Sequence, residues 1–452
     1  MKTKFHFEFF IIFFLVSFLF LPEDVFSQWS ALGTGSNSEV RALTSYNGLL
    51  IAGGDFTTIG GIGANRIAGW NGTSWSALGL GTNGRVSALI VFSNELIVAG
   101  DFSQVGGVGA GRIAKWNGTN WLLFGSNQTF NNDIYSLAVY NNELYAAGSF
   151  TSIGGNTRNR IARWTGSAWE SVGLGLNGTA RTLEVYNNTL VAGGEFTTAG
   201  GINANRVASW NGSSWSSLGL GVNNTVYAMK VMNNELIVGG SFTTVGGVQV
   251  NRIAKWNGSW AALGTGTNSS VFSLHYAAGL LYAGGDFTSA GGIGANRIAR
   301  WNGSSWTAMS SGMTGGDPIE VLTISVYSSL LYAGGDFTSA GGTTVNNITR
   351  WATPTGIEQA GNNIPGSYSL GQNYPNPFNP VTQIRFRAAD FGFVSLKIYD
   401  AAGKEIAVLV NEELQAGEYN IDFDASRLSS GTYFYRLESK GFSEVKKMVL
   451  AK

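Results

Sequence analysis

Two glycine-rich stretches, GGDFTTIGGIGANRIAGWNGTSW at 53–75 and GGDFTSAGGIGANRIARWNGSSW at 284–306, agree at 19 of 23 positions. Each carries an acid, an Arg eleven residues later and clustered glycines, so three chemistries can be weighed. A phosphate cradle needs N–H groups that open onto a helix start. GGIGANR instead lacks a Lys-Ser/Thr pair and runs into RIAxW, a strand pattern. Calcium takes clustered oxygen ligands, and the acid recurs as Asp55, Asp101, Asp286 and Asp336. It becomes Ser149, Glu195 and Ser241 in other copies, and no D-x-D-x-D-G loop accompanies it. The third chemistry is bracing: the acid would pair across antiparallel strands with the Arg series Arg66, Arg112, Arg160, Arg206, Arg252 and Arg297, replaced by Asn347 in the last copy.

Catalytic groups are sparse. Cysteine is absent, which excludes disulfides, thiolate metal sites and Cys nucleophiles. Beyond residue 27 the one histidine is His275, and its counterparts in other copies are Thr44, Ile90, Ala138, Glu184, Lys230 and Ser325. A single imidazole cannot build a zinc, copper or iron site, and no G-x-S-x-G elbow is present for a serine nucleophile. The acids Asp133, Glu184, Asp317 and Glu320 form no recognisable pair for glycoside hydrolysis. No catalytic residue, metal or cofactor is therefore expected. A formal charge of zero without a basic run gives nucleic acid no electrostatic footprint.

The elements that hold these residues repeat. The Phe of the stretch falls at 56, 102, 150, 196, 242, 287 and 337, and a Trp follows fourteen residues later each time. A period near 46 points to a solenoid, propeller or array. Each copy reads as four short strands (VRALTSY, LLIAGGDF, RIAGW and SWSALG in the first) with Gly- and Asn-rich turns. The Asn-Gly between third and fourth strands predicts a tight hairpin with both residues at positive φ. The seventh copy stops at Trp351 without its fourth strand, while an orphan QWSALGTG holding Trp29 precedes the first. A ring closed by the N-terminal strand explains that cut, because closure removes open edges. We expect an all-β chain whose residues 28–352 form a seven-bladed β-propeller. Its repeats resemble those of the kelch and WD-repeat propeller families in architecture, without a Trp-Asp dipeptide.

Loop lengths vary most between the fourth strand and the next first strand, on the same face as the long second-to-third loops. Binding residues favour loops on a rigid scaffold. One position after the first-strand Val, the copies hold Arg41, Ser87, Tyr135, Arg181, Tyr227, Phe272 and Leu322. This set should ring the channel mouth, and Arg41, Tyr135, Arg181 and Tyr227 are the candidate ligand-binding residues.

The ends carry an address. Residues 1–27 have Lys2 and Lys4, an apolar run from Phe9 to Leu21 and Val25-Phe26-Ser27, the layout of a signal peptide cleaved before Gln28. No later stretch is apolar enough to span a bilayer. Residues 353–367 read as a linker, and 368–452 as a small β-sandwich of six or seven alternating strands. That last segment resembles the type IX secretion C-terminal sorting domain. The resemblance rests on Tyr374-Pro375-Asn376-Pro377-Phe378-Asn379-Pro380, Gly403, Gly417-Glu418-Tyr419, Ser430-Gly431-Thr432-Tyr433, Arg436 and Lys446-Lys447-Met448. It implies an immunoglobulin-like fold, passage through the periplasm and recognition by the type IX translocon. It also implies display on the outer surface or release. The expected function is that of an exported binding or adhesion module for a glycan or protein. The alternatives are an extracellular polysaccharide hydrolase or lyase and a structural surface component.

Overall fold

The computed structural model describes residues 28–125, 128–328, 330–352, 358–361, 366–390, 392–414, 417–425 and 428–452. The expected signal peptide lies outside them. Every regular element among the described residues is a strand, and they contain no helix long and apolar enough to cross a membrane.

Seven four-stranded antiparallel sheets follow one another through residues 28–352, giving a propeller-like repeat. In the first, Val40–Tyr46, Leu49–Gly54, Ile67–Trp70 and Trp75–Ala77 lie side by side. In the seventh, Glu320–Tyr327, Leu330–Asp336 and Ile348–Ala352 are joined by Gln28–Ala31, so that Trp29 pairs with Trp351.

The two-residue turn sits between first and second strands, where Asn47 and Gly48 have φ of 47° and 75°. Asn tolerates that region and Gly has no Cβ to clash there. The Asn-Gly between third and fourth strands behaves otherwise. There only Gly72 has positive φ, while Asn71 Oδ1 accepts from the N–H groups of Thr73 and Ser74 at 2.9 and 2.8 Å. The loop is a side-chain-capped turn of four residues between Trp70 and Trp75, not the predicted tight hairpin.

Side chains from neighbouring sheets build the cores. The second-strand glycines sit so close to the next first strand that a Cβ on Gly53 would lie 2.4 Å from Val86 Cγ1. A Cβ on Gly334 would likewise lie 2.7 Å from Val40, which brings the seventh sheet against the first. Tyr332 and Ile348 accordingly share one core with Val40, Leu50 and Phe56. The long second-to-third loop folds into a hairpin of its own, Thr58–Ile59 against Ile62–Gly63 in the first copy. The loop entering each sheet bridges that hairpin, as Ser36 to Ile59 and Thr82 to Val105.

The repeated acid–Arg brace is not formed. Only Asp101 and Arg112 pair in this way among the described residues. Each Arg of the series, and Asn347, has φ between 59° and 71°. That backbone sets side chains against the neighbouring loop. Arg66 donates to Thr82 O at 3.1 Å, Arg112 to Phe130 O at 3.2 Å and Asn347 to Ser36 O at 2.9 Å.

The C-terminal segment has a separate core around Ile384, Phe386, Leu396, Ile398, Ile421, Tyr435 and Met448. Two four-stranded sheets make it: Glu358–Gly361, Gly417–Asp424, Val381–Ala388 and Ser369–Leu370, then Glu405–Leu414, Gly392–Tyr399, Gly431–Ser439 and Phe442–Leu450. The strand Glu358–Gly361 falls in the expected linker. It adds at a sheet edge through main-chain pairing with Tyr419 and Asn420, which needs no alternating apolar pattern.

Candidate ligand site at the bulge ring

A β-bulge interrupts the pairing of first and second strands in all seven sheets. The residues skipped by the register are Arg41, Ser87, Tyr135, Arg181, Tyr227, Phe272 and Leu322. The variable position of the repeat is thus the bulge itself. A bulged residue is freed from the ladder and its side chain is re-aimed, which suits a binding position.

Neighbouring bulge residues meet. The Arg181 guanidinium lies over the Tyr135 ring, 4.5 Å from its centroid, and donates two bonds to Glu195 Oε1 at 2.8 and 2.6 Å. Tyr227 and Phe272 pack edge to face with centroids 5.2 Å apart. Arg41 is held by Glu39 and Asp55, and Arg85 joins Asp55 at 3.0 Å. Arg112 links Asp101 to Asp133, whose other oxygen accepts from the Tyr135 hydroxyl at 3.3 Å. Both candidate guanidiniums, Arg41 and Arg181, are therefore already carboxylate-bound, and a ligand would meet their remaining N–H groups and the Tyr135 and Tyr227 rings.

Carboxylates titrate differently around this ring. Burial works against ionisation of Asp55, but the hydrogen bonds and charges of Arg41 and Arg85 outweigh it and lower its pKa. Burial raises Glu39 despite Arg41, and raises Glu320 with help from Glu39 and Asp286. It raises Asp336 as well, reinforced by Asp317. Among the described residues no ion pair reaches Asp286, Asp317, Glu320 or Asp336, and no group of three His, Cys, Asp or Glu could hold a metal.

Further along the same first strands, Glu184 and Lys230 pair at 3.2 Å between adjacent sheets. Burial keeps the Glu184 carboxyl above its usual range, with Lys230 opposing. His275, one sheet on, is pushed down to about 4, first by burial and then by the Lys230 charge. It lies in the first strand of the sixth sheet, and among the described residues no hydroxyl is hydrogen-bonded to it.

In the tail, the sequence-matched residues are spread over a loop, a turn and the last two strands. Asn376 Oδ1 accepts from Val449 N at 2.9 Å, and Asn376 Nδ2 donates to Lys447 O at 3.3 Å. This fastens Pro375 and Pro377, both preceded by cis bonds. Gly403, at φ 81°, closes a turn capped by Asp400. Gly431 opens the strand in which the Tyr433 hydroxyl donates to Ser429 O at 2.7 Å. Arg436 lies 5.0 Å over the Tyr399 ring and donates to its hydroxyl, and Lys446 pairs with Glu444 at 3.1 Å. Asn373 was not singled out from sequence, yet it is buried and donates to Pro375 O and Thr382 Oγ1. Its place just before the proline run was the available signal.

Residues 372–451 match the model of a secretion system C-terminal sorting domain. Residues 141–165 and 233–260 match a β-propeller family described as a domain of unknown function, DUF5122. Among solved structures, the chain is similar to PorZ of Porphyromonas gingivalis, described as an essential bacterial surface component of the type-IX secretion system of that human oral-microbiomic organism. The two share 13% identity with a TM-score of 0.46 over 92% of this chain. The chain spans 60% of that protein's length. No curated protein matches. The sorting domain makes this a type IX-secreted protein, located at the outer cell surface or beyond it.

Proposed function

We propose that residues 28–352 are a seven-bladed β-propeller, sealed by the strand of Trp29, that binds a glycan or protein at its bulge ring without turning it over. Export begins with the signal peptide at 1–27, and recognition of 368–452 by the type IX translocon completes it. The propeller then acts as a binding or adhesion module at the surface. Kelch-like describes its repeats in architecture only.

The observation that carries this reading is the bulge position. Its chemistry changes from Arg to Ser, Tyr, Phe and Leu between copies while its neighbours stay apolar or small, and, unlike the equally variable position of His275, it is skipped by the register in every sheet. A fold-dictated position would not vary so widely. Tyr135 beneath Arg181 and Tyr227 against Phe272 offer two ring faces of the kind that sugars and aromatic side chains stack on.

The test is a glycan and surface-protein binding screen with the chain from Gln28 onward. Saturable binding that Tyr227→Ala weakens about three- to tenfold, the range of one aromatic contact, supports the site. Release of reducing ends instead supports a second reading, a polysaccharide hydrolase. The raised carboxyls of Glu320 and Asp336 favour that alternative. Absence of any ligand would leave a structural surface component.

A further inference from the structure

The Arg series has one exception, and it falls at the seam between the seventh and first sheets. Eleven residues after Asp336 stands Asn347, where the other six copies carry Arg66, Arg112, Arg160, Arg206, Arg252 and Arg297. Three of those guanidiniums reach a carbonyl of the loop entering the next sheet: Arg66 at Thr82, Arg112 at Phe130 and Arg297 at Ile319. Asn347 makes the counterpart bond with a much shorter side chain. Its Nδ2 donates to Ser36 O at 2.9 Å, while its Oδ1 accepts from Phe337 N at 3.3 Å. No positive charge enters the seam from this position.

The seam between the second and third sheets shows what that charge does elsewhere. Arg112 lies between Asp101, eleven residues before it, and Asp133, two residues before the bulge of the next sheet. At the seventh seam the same two places hold Asp336 and Glu39, the latter two residues before the Arg41 bulge. Both carboxylates of the arrangement are present, and the guanidinium is replaced. Among the described residues Asp336 joins no ion pair, and Arg41 meets Glu39 at Oε2, which leaves Oε1 for a second donor. Arg41 and Arg85 balance Glu39 and Asp55, so Asp336 is surplus, with Asp317 and Glu320 adding to the negative charge around it. Burial first, and neighbouring carboxylates after it, hold Glu39 and Asp336 above their usual range despite Arg41.

Glu39 and Asp336 border a depression of about 590 Å³, together with Thr34, Ser38, Thr58 and Thr338. Its counterpart between the third and fourth sheets, which contains Arg160, measures about 330 Å³. The second seam is nearly as wide, at about 560 Å³, but keeps Arg112 in its wall. The seventh seam combines the width with the loss of the guanidinium. Its wall is hydroxylated, since Thr34 stands where Leu80, Leu174 and Leu220 follow other sheets. The volume is in the range of small-molecule sites and takes more than one side chain.

We propose that the seam between the seventh and first sheets binds an arginine side chain of a partner protein, whose guanidinium takes between Asp336 and Glu39 the place that Arg112 takes between Asp101 and Asp133. A planar fork of N–H groups matches two carboxylates better than an ammonium, which is a point charge. The hydroxyls of Thr34, Thr58 and Thr338 suit the polar main chain on either side of it. The proposal does not rest on the bulge-ring reading, since it uses neither the Tyr135 nor the Tyr227 ring.

The test is ligand-observed NMR on the chain from Gln28 onward with the capped peptide acetyl-Gly-Gly-Arg-Gly-Gly-amide, its lysine and citrulline analogues, and ethylguanidinium. The arginine peptide binds in the millimolar range or more tightly. The citrulline analogue, equal in shape but uncharged, binds at least about tenfold more weakly, the loss of one charge-assisted pair. The lysine analogue and ethylguanidinium fall between the two. Asn347→Arg, which supplies the side chain of the other six copies, abolishes binding. Asp336→Asn weakens it at least about tenfold and decides the matter if the first variant fails to fold. Tyr227→Ala leaves the arginine-peptide signal unchanged. Five results would each overturn the proposal: no arginine peptide bound, citrulline bound equally well, lysine or ethylguanidinium bound as tightly as the arginine peptide, unaltered binding in either folded seam variant, or a signal that Tyr227→Ala weakens.

Discussion

At the scale of single residues, His275 is the group whose titration matters for the folded chain. Its pKa falls from 6.5 in the open chain to about 4 in the strand, because burial and Lys230 disfavour the imidazolium. The unfolded state therefore binds more protons between these values. The stability that His275 contributes is complete above about pH 6.5 and is lost as pH falls through about 4. The full shift corresponds to about 3 kcal/mol. His275→Ser, the residue of the next copy at Ser325, should lose less melting temperature than the parent between pH 7 and pH 4.5. Parallel losses in the two proteins would remove the argument. Glu184 runs the other way: its raised pKa adds stability as pH falls, and Lys230 tempers it. The candidate ligand residues were legible because seven copies supply an internal comparison in which Tyr135 and Arg181 stand out. Their engagement with Asp133 and Glu195 was not, since Asp133 stands only two residues before Tyr135 and Glu195 reaches Arg181 through the pairing of the first two strands, a register that residue types alone do not announce.

At the scale of elements, six of the seven entering loops are held by an Asn that the turn chemistry alone did not reveal. Asn177 Oδ1 accepts from Thr197 N and Thr198 N at 2.8 and 2.9 Å, and its Nδ2 donates to Thr197 Oγ1 at 2.8 Å. The same three bonds recur at Asn37, Asn83, Asn131, Asn223 and Asn268. Asn177→Ala should cost about 1–2 kcal/mol in urea unfolding, because the exposed N–H groups recover water. Strands were readable from LLIAGG and IAGW, where apolar runs end at glycine. The two-residue hairpins such as Thr58–Ile59 were not, since they are too short to show a period. The Arg series misled for a different reason. An Arg at positive φ is disfavoured, so nothing in GANRIA announces that its backbone turns left-handed and sends the guanidinium to the neighbouring loop.

At the scale of the whole molecule, the cut repeat was the informative feature. Counting Trp residues assigned Trp29 to the seventh copy, and it pairs there with Trp351. Trp29 is 1% exposed and its Nε1 donates to Met309 O at 3.2 Å. Trp29→Ala should cost about 3–5 kcal/mol by chemical denaturation, as for other buried aromatics. Removing 28–32 should cost more and promote association, because it bares the Ile348–Ala352 edge. A truncated chain that melted with the parent would count against a sealed ring.

The pairing of Trp29 with Trp351 also sets a schedule. Roughly 320 positions separate the two strands, so at ordinary rates of synthesis the first waits about 15–65 s for the second. Until then its partner does not exist, and every sheet that forms meanwhile belongs to an arc with two loose ends. A chain interrupted anywhere before Ile348 keeps a tryptophan-bearing strand with nothing to lie against.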